Sequence, residues 1–92
     1  MITNNAANEI EALEKLVTLT KFATNRTVRL EEIQRQLQKA NAMMPERPST
    51  AAGDRFSAHE AALRKFLSGA STKDALGQEL GITQDFLSLG RP

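Results

Sequence analysis

The side chains best placed for chemistry lie near the C-terminal end of the chain. Thr83, Gln84, Asp85 and Ser88 fall within a few residues of one another, a spacing that groups short polar side chains at the start of one helix. A Gln amide suits an adenine edge, a carboxylate accepts from a cytosine amino group, and a hydroxyl serves either. Lys73 before this group and Arg91 after it are the cations expected to meet phosphates, with Arg64 and Lys65 more distant. The same residues also suit any soluble helix start, because Thr83 caps it and Asp85 favours its dipole. The single histidine, His59, has no Ser or Cys nucleophile in a recognisable setting, and no glycine-rich phosphate loop is present. It reads as a solvated first-turn residue. With no Cys and one His, a metal would rest on carboxylates, so no catalysis, metal or cofactor is expected.

Composition bounds the reading further. Twelve Lys and Arg against eleven Asp and Glu give a net charge of +1, mixed along the chain without runs of one sign, which weighs against a phosphate-binding partner. Four Phe without Trp or Tyr disfavour base-stacking readers of single strands. Ninety-two residues form one domain of marginal stability as a monomer, so oligomerisation is expected. The opening MITNNAANEI has neither basic residues nor an apolar run, so no signal peptide is expected. No stretch reaches the roughly 20 apolar residues of a membrane span. A cytoplasmic location, away from any membrane, is expected.

The elements that must position these residues fall into three zones. Residues 1–45 are expected to form a helical oligomerisation arm, residues 46–56 a linker marked by Pro48, Ser49, Thr50 and Gly53, and residues 57–92 a C-terminal helical unit. In the arm, Ala12, Leu16, Leu19, Ala23, Arg26, Leu30, Ile33, Leu37, Ala40 and Met44 recur at alternating spacings of four and three, a heptad seam. Ile10, Leu13 and Val17 widen it in the first half. Two arrangements fit: a helical hairpin broken near Thr24–Val28 with Thr27 as cap, or one coiled-coil helix of about 60 Å. Either exposes more apolar surface than one chain covers. Leu16, Leu19, Leu30, Ile33, Leu37 and Met44 are therefore expected at a homodimer interface.

In the C-terminal unit, Ser57 with Glu60 and Ser71 with Asp74 have capping-box spacing. Gly69, Gly81 and Gly90 punctuate three short helical patterns, and Thr83 stands as cap of the last. Helix, cap, helix, glycine turn, cap, helix is the order of a helix-turn-helix. The stretch LGQELGITQDFLS resembles the helix-turn-helix repressors of bacteria and phage. Leu76 and Gly77 match its first helix, Leu80 and Gly81 the turn, Ile82 the apolar residue beyond it, and Leu87 the buried position of the reading helix. Residues 67–90 are most similar to the DNA-reading half of the Trp repressor family, through Leu67, Gly69, Thr72, Leu76, Glu79, Leu80, Gly81, Leu87 and Gly90. Leu89 stands where that family has a basic residue, so the resemblance implies DNA reading without tryptophan sensing.

The resemblance implies an all-α dimeric transcriptional regulator whose hairpin or coiled-coil arm pairs two reading heads on double-stranded DNA, with half-sites roughly 34 Å apart. Thr83, Gln84, Asp85 and Ser88 would then face bases, and Lys73 and Arg91 phosphates. The alternative is an all-helical protein-interaction module, such as an adaptor, assembly factor or inhibitor. Near-zero net charge, a reading helix without Lys or Arg, and the long apolar seam favour it, and an exposed Leu89 near the C-terminus would suit a protein partner better than DNA.

Overall fold

The computed structural model describes residues 5–25, 28–44 and 50–89. All regular structure among them is helical: α1 Asn5–Asn25, α2 Leu30–Ala42, α3 Ala51–Leu67 and α4 Lys73–Leu89. α1 touches each of the other three, α3 and α4 pack on each other, and α2 rests chiefly on α1. No helix of the described residues is long and apolar enough to cross a membrane.

α1 and α2 form the hairpin alternative, not the single long helix. Met43, just beyond α2, lies by Glu11 and Lys15, while Val28 and Glu32 lie by Thr18 and Phe22, so the two helices run antiparallel. In the last turn of α1, Thr24 turns its hydroxyl onto the Thr20 and Lys21 carbonyls, the local competition that makes Thr a poor helix former. The expected cap Thr27 and seam member Arg26 lie outside the described residues. Arg29 is the N-cap and makes no side-chain cap bond. The first-turn acids Glu31 and Glu32 favour the helix dipole instead.

The heptad seam is spent inside the chain. Ala12, Leu16, Leu19, Ala23, Ile33, Leu37, Ala40 and Met44 are all buried, and Leu30 alone of its described members stays half exposed. The second line beside the seam, Leu13 and Val17, is buried too. α1 needs that wide apolar face because three helices cover it. The expected dimer interface is therefore corrected: Leu16, Leu19, Ile33, Leu37 and Met44 form the core of one chain, and α3 and α4 supply cover that the seam was expected to find in a partner.

α3 starts earlier than its capping pattern suggests. Thr50, not Ser57, is its N-cap, with Oγ1 accepting from the Gly53 N–H at 3.0 Å. Residues 51–56 of the expected linker are helix, because Ala52 and Phe56 reach the core. Ser57 is then an exposed mid-helix residue, and Glu60 serves Arg64 at 3.0 Å instead of closing a capping box. α3 stops at Gly69, whose φ is +82°. Gly69 N–H donates to Phe66 O and Ala70 N–H to Lys65 O, the paired bonds of a Schellman ending.

Thr72, not Ser71, caps α4, accepting from the Ala75 N–H at 3.1 Å. From Lys73 the helix runs unbroken through Gly77 and Gly81 to Leu89. Among the described residues, two helices stand where three short ones and a glycine turn were expected in residues 57–92. Leu76, Leu80, Thr83 and Leu87 repeat at four, three and four residues and share one inward face. A turn at Gly81 would pull Thr83 and Leu87 off the core they occupy.

Candidate interaction surface

The residues expected to read DNA do not converge. Thr83 is fully buried, so the assignment of a base or phosphate contact to it is corrected. Gln84 is half-buried and Ser88 exposed, and both line a hollow of about 350 Å³ between α1 and α4 with Glu14, Val17, Thr18 and Leu87. Its charged side chain is the Glu14 carboxylate, which repels phosphate. Asp85 is exposed but sits a further 100° or so around the helix. Lys73 is exposed at the first turn, roughly 16 Å along the axis from Gln84. Arg91 lies outside the described residues. Arg64, a more distant candidate cation, is held by Glu60.

Thr83 belongs instead to a polar clasp that local spacing does not reveal. His59, also fully buried, places Nε2 2.7 Å from Thr20 Oγ1 and Nδ1 2.6 Å from Thr83 Oγ1. The proton positions follow from the neighbours. Thr20 donates its hydroxyl to the Leu16 carbonyl at 2.8 Å, so it accepts from His59, whose Nε2 carries the hydrogen. Nδ1 is then the acceptor, and the Thr83 hydroxyl donates to it. Every polar atom in the chain of bonds is used, which is what makes its burial tolerable. Burial, reinforced by the Arg55 guanidinium, pushes the imidazole down to about 4. Arg55 is itself paired with Glu79 across α3 and α4. The clasp fastens α1, α3 and α4 together, so the sequence reading of His59 as solvated is corrected. Among the described residues no group of three His, Asp or Glu is placed to hold a metal.

The chemistry that remains open to solvent lies on the outer side of α4. Ala75, Ile82 and Leu89 follow at intervals of seven, with Gln78 and Asp85 between them and Asp74 beside them, all exposed. Intervals of three, four and seven keep these residues on one face. Ile82 is 50% and Leu89 88% exposed. The helix carries Lys73 against Asp74, Glu79 and Asp85, and Glu79 is taken by Arg55. Its outward face is apolar and acidic.

The opposite character gathers toward one end of the hairpin. Over α1 and α2 as a whole, with Arg29 between them, the described acids and bases balance. Between Lys15 and Gln36, toward the connection of the two helices, Lys15, Lys21, Arg29 and Arg35 stand against Glu31 and Glu32, leaving +2 among the described residues. Counted along the chain the charges look mixed; once elements are assigned, a mildly basic connecting end of the hairpin and an acidic α4 separate. Phe22 and Leu30, 40% and 48% exposed, stand near the end where α1 turns into α2. A hollow of about 210 Å³ opens there, lined by Lys15, Thr18, Leu19, Phe22, Val28, Glu32 and Gln36. Its acid is already engaged: Glu32 accepts from Arg35 at 2.7 Å and Gln36 at 2.8 Å. The Gln36 bond and the nearby cations hold that carboxyl below its usual range.

Comparison with protein-family models, with curated proteins and with solved structures finds no significant match to this chain.

Proposed function

We propose that this chain is an all-helical protein-interaction module that docks a partner on the outward face of α4. The observation that carries the reading is the exposure of Ile82 and Leu89 on one helical face bordered by Asp74 and Asp85. Exposed large apolar side chains aligned on one face are what a partner buries. Flanking carboxylates select a partner whose apolar contact surface has a basic rim. A DNA backbone is the wrong complement, since the face offers carboxylates to phosphates. The base-reading set is also depleted, with Thr83 in the core and Gln84 and Ser88 beside Glu14.

The test is a fluorescence-anisotropy titration with two probes: an amphipathic helical peptide of Leu and Lys, and a random duplex DNA. The peptide is expected to bind, more weakly as salt rises, and the duplex is not. Ile82→Glu and Leu89→Glu are each expected to weaken peptide binding by roughly ten- to hundredfold, the loss of one apolar side chain's burial. Asp85→Lys should remove much of the salt dependence. Binding of the duplex at low salt, with the peptide ignored, would establish the DNA-regulator alternative and overturn the docking reading.

A further inference from the structure

We infer that the partner of the α4 face is a second copy of this chain, which offers its hairpin end, so that copies associate head to tail. The inference rests on the reading of α4 as a docking face and goes on to name the partner. Every large hydrophobic exposed among the described residues belongs to one of two regions: Phe22 and Leu30 at the hairpin, Ile82 and Leu89 on α4. Toward the connecting end of the hairpin the described charges sum to +2, and those of α4 sum to −2. Each has what the other lacks.

Symmetry follows from the signs. Two α4 faces set against each other would oppose Asp74 and Asp85 to themselves, and two hairpin ends would oppose their Lys and Arg. Like-charge juxtaposition disfavours both isologous contacts. Hairpin on α4 pairs opposite charges and apolar side chains at once. That contact is heterologous, and it leaves one free surface of each kind at the two ends of any pair. The geometry supplies a seat: the hollow floored by the buried Leu19 and walled by Phe22 and Val28 takes one large apolar side chain, and Leu89 is the most exposed of these. Lys15 at its rim suits an incoming Asp85. Few apolar side chains take part, so the association is weak, concentration-dependent and loosened by salt.

Sedimentation velocity on the full chain, over a wide range of concentration at low and high salt, tests this directly. Wild-type mass is expected to rise with concentration at low salt and fall back at high salt. Phe22→Glu and Leu89→Glu, each checked for unchanged helix content by circular dichroism, should each remain monomeric. The two variants mixed one to one are expected to form a pair that grows no further, because the mixture restores a single intact contact: hairpin from the Leu89 variant, α4 from the Phe22 variant. A wild type monomeric throughout, variants that associate as before, or a mixture that stays monomeric would each overturn head-to-tail pairing. If the wild type is monomeric yet binds the Leu–Lys peptide, the α4 reading stands and the partner is foreign; if the peptide also fails, both readings fall. Duplex DNA bound at low salt and lost in Arg29→Glu would assign the hairpin to nucleic acid and remove it as the partner of α4.

Discussion

His59 shows how much one buried side chain organises. It is held by hydroxyls 39 residues before it and 24 after it, and its neutral, Nε2-protonated form is the one that fits. The ordinary imidazole titrates near 6.5, and burial with Arg55 alongside lowers this one to about 4. A base depressed in the folded state contributes its full stability above pH 6.5. The contribution then falls as the unfolded chain takes up a proton that the folded chain refuses. Across that window about 3 kcal/mol is lost. Urea unfolding at stepped pH should therefore show His59→Leu with a shallower decline than wild type between pH 6.5 and 4; parallel curves would contradict the clasp. Arg55 and Glu79 stay paired in both proteins, so the difference isolates His59. Thr83→Val should cost about 1–2 kcal/mol of stability by orphaning Nδ1, whereas a hydroxyl meant for DNA would be lost without such cost. None of this was legible locally. The histidine follows Ser57 at a spacing that imitates a first turn, and its true partners are distant in sequence.

At the scale of the elements, α4 decides the reading. Gly77 and Gly81 lie within the helix, and a Cβ at either would meet nothing within 4 Å. Gly77→Ala and Gly81→Ala are therefore each expected to stabilise the protein by about 0.5–1 kcal/mol, through a less free unfolded chain and better helix propensity. At a left-handed turn the same change at Gly81 would destabilise, so thermal unfolding of that one variant separates a continuous helix from a helix-turn-helix. Gly69, at φ +82°, is the control, and Gly69→Ala should cost about 1 kcal/mol. Helix content was legible in the sequence, and so was the glycine ending of α3. The break at Gly81 was misread because a glycine followed by Ile and Thr imitates a C-cap and a new cap. The unbroken phase of Leu76, Leu80, Thr83 and Leu87 carried the contrary signal. Capping-box spacing pointed to Ser57 and Ser71, whereas Thr50 and Thr72 are the caps of α3 and α4. Thr50 prevailed over Ser57 because Phe56 belongs in the core, and Thr72 over its neighbour Ser71 by the bond to the Ala75 N–H.

At the scale of the whole molecule, the heptad seam was legible as a buried stripe but not as to what buries it. Periodicity identifies a face; it carries no information on whether a second chain or a later helix covers that face. Here α2 and the pair α3 and α4 surround α1. Leu37→Asp is accordingly expected to unfold the chain, since it places a charge where 1% of the residue is exposed. Leu30→Asp, at a half-exposed site, should cost less than about 1 kcal/mol. A folded Leu37→Asp protein, followed by circular dichroism, would mean that the seam is not core. The separation of charge between the connecting end of the hairpin and α4 was present in the sequence but surfaced only when the elements grouped it.

The most direct measurement is amide chemical-shift mapping of the isotope-labelled protein, titrated first with the Leu–Lys helical peptide and then, in a separate sample, with random duplex DNA. The peptide should move the amides of Ala75, Gln78, Ile82, Asp85 and Leu89 together while the clasp residues Thr20, His59 and Thr83 hold still, and the duplex should leave α4 unmoved. Shifts from the duplex concentrated at Lys73, Gln84 and Ser88, with none from the peptide, would contradict a docking face on α4 and return this chain to the regulators of DNA.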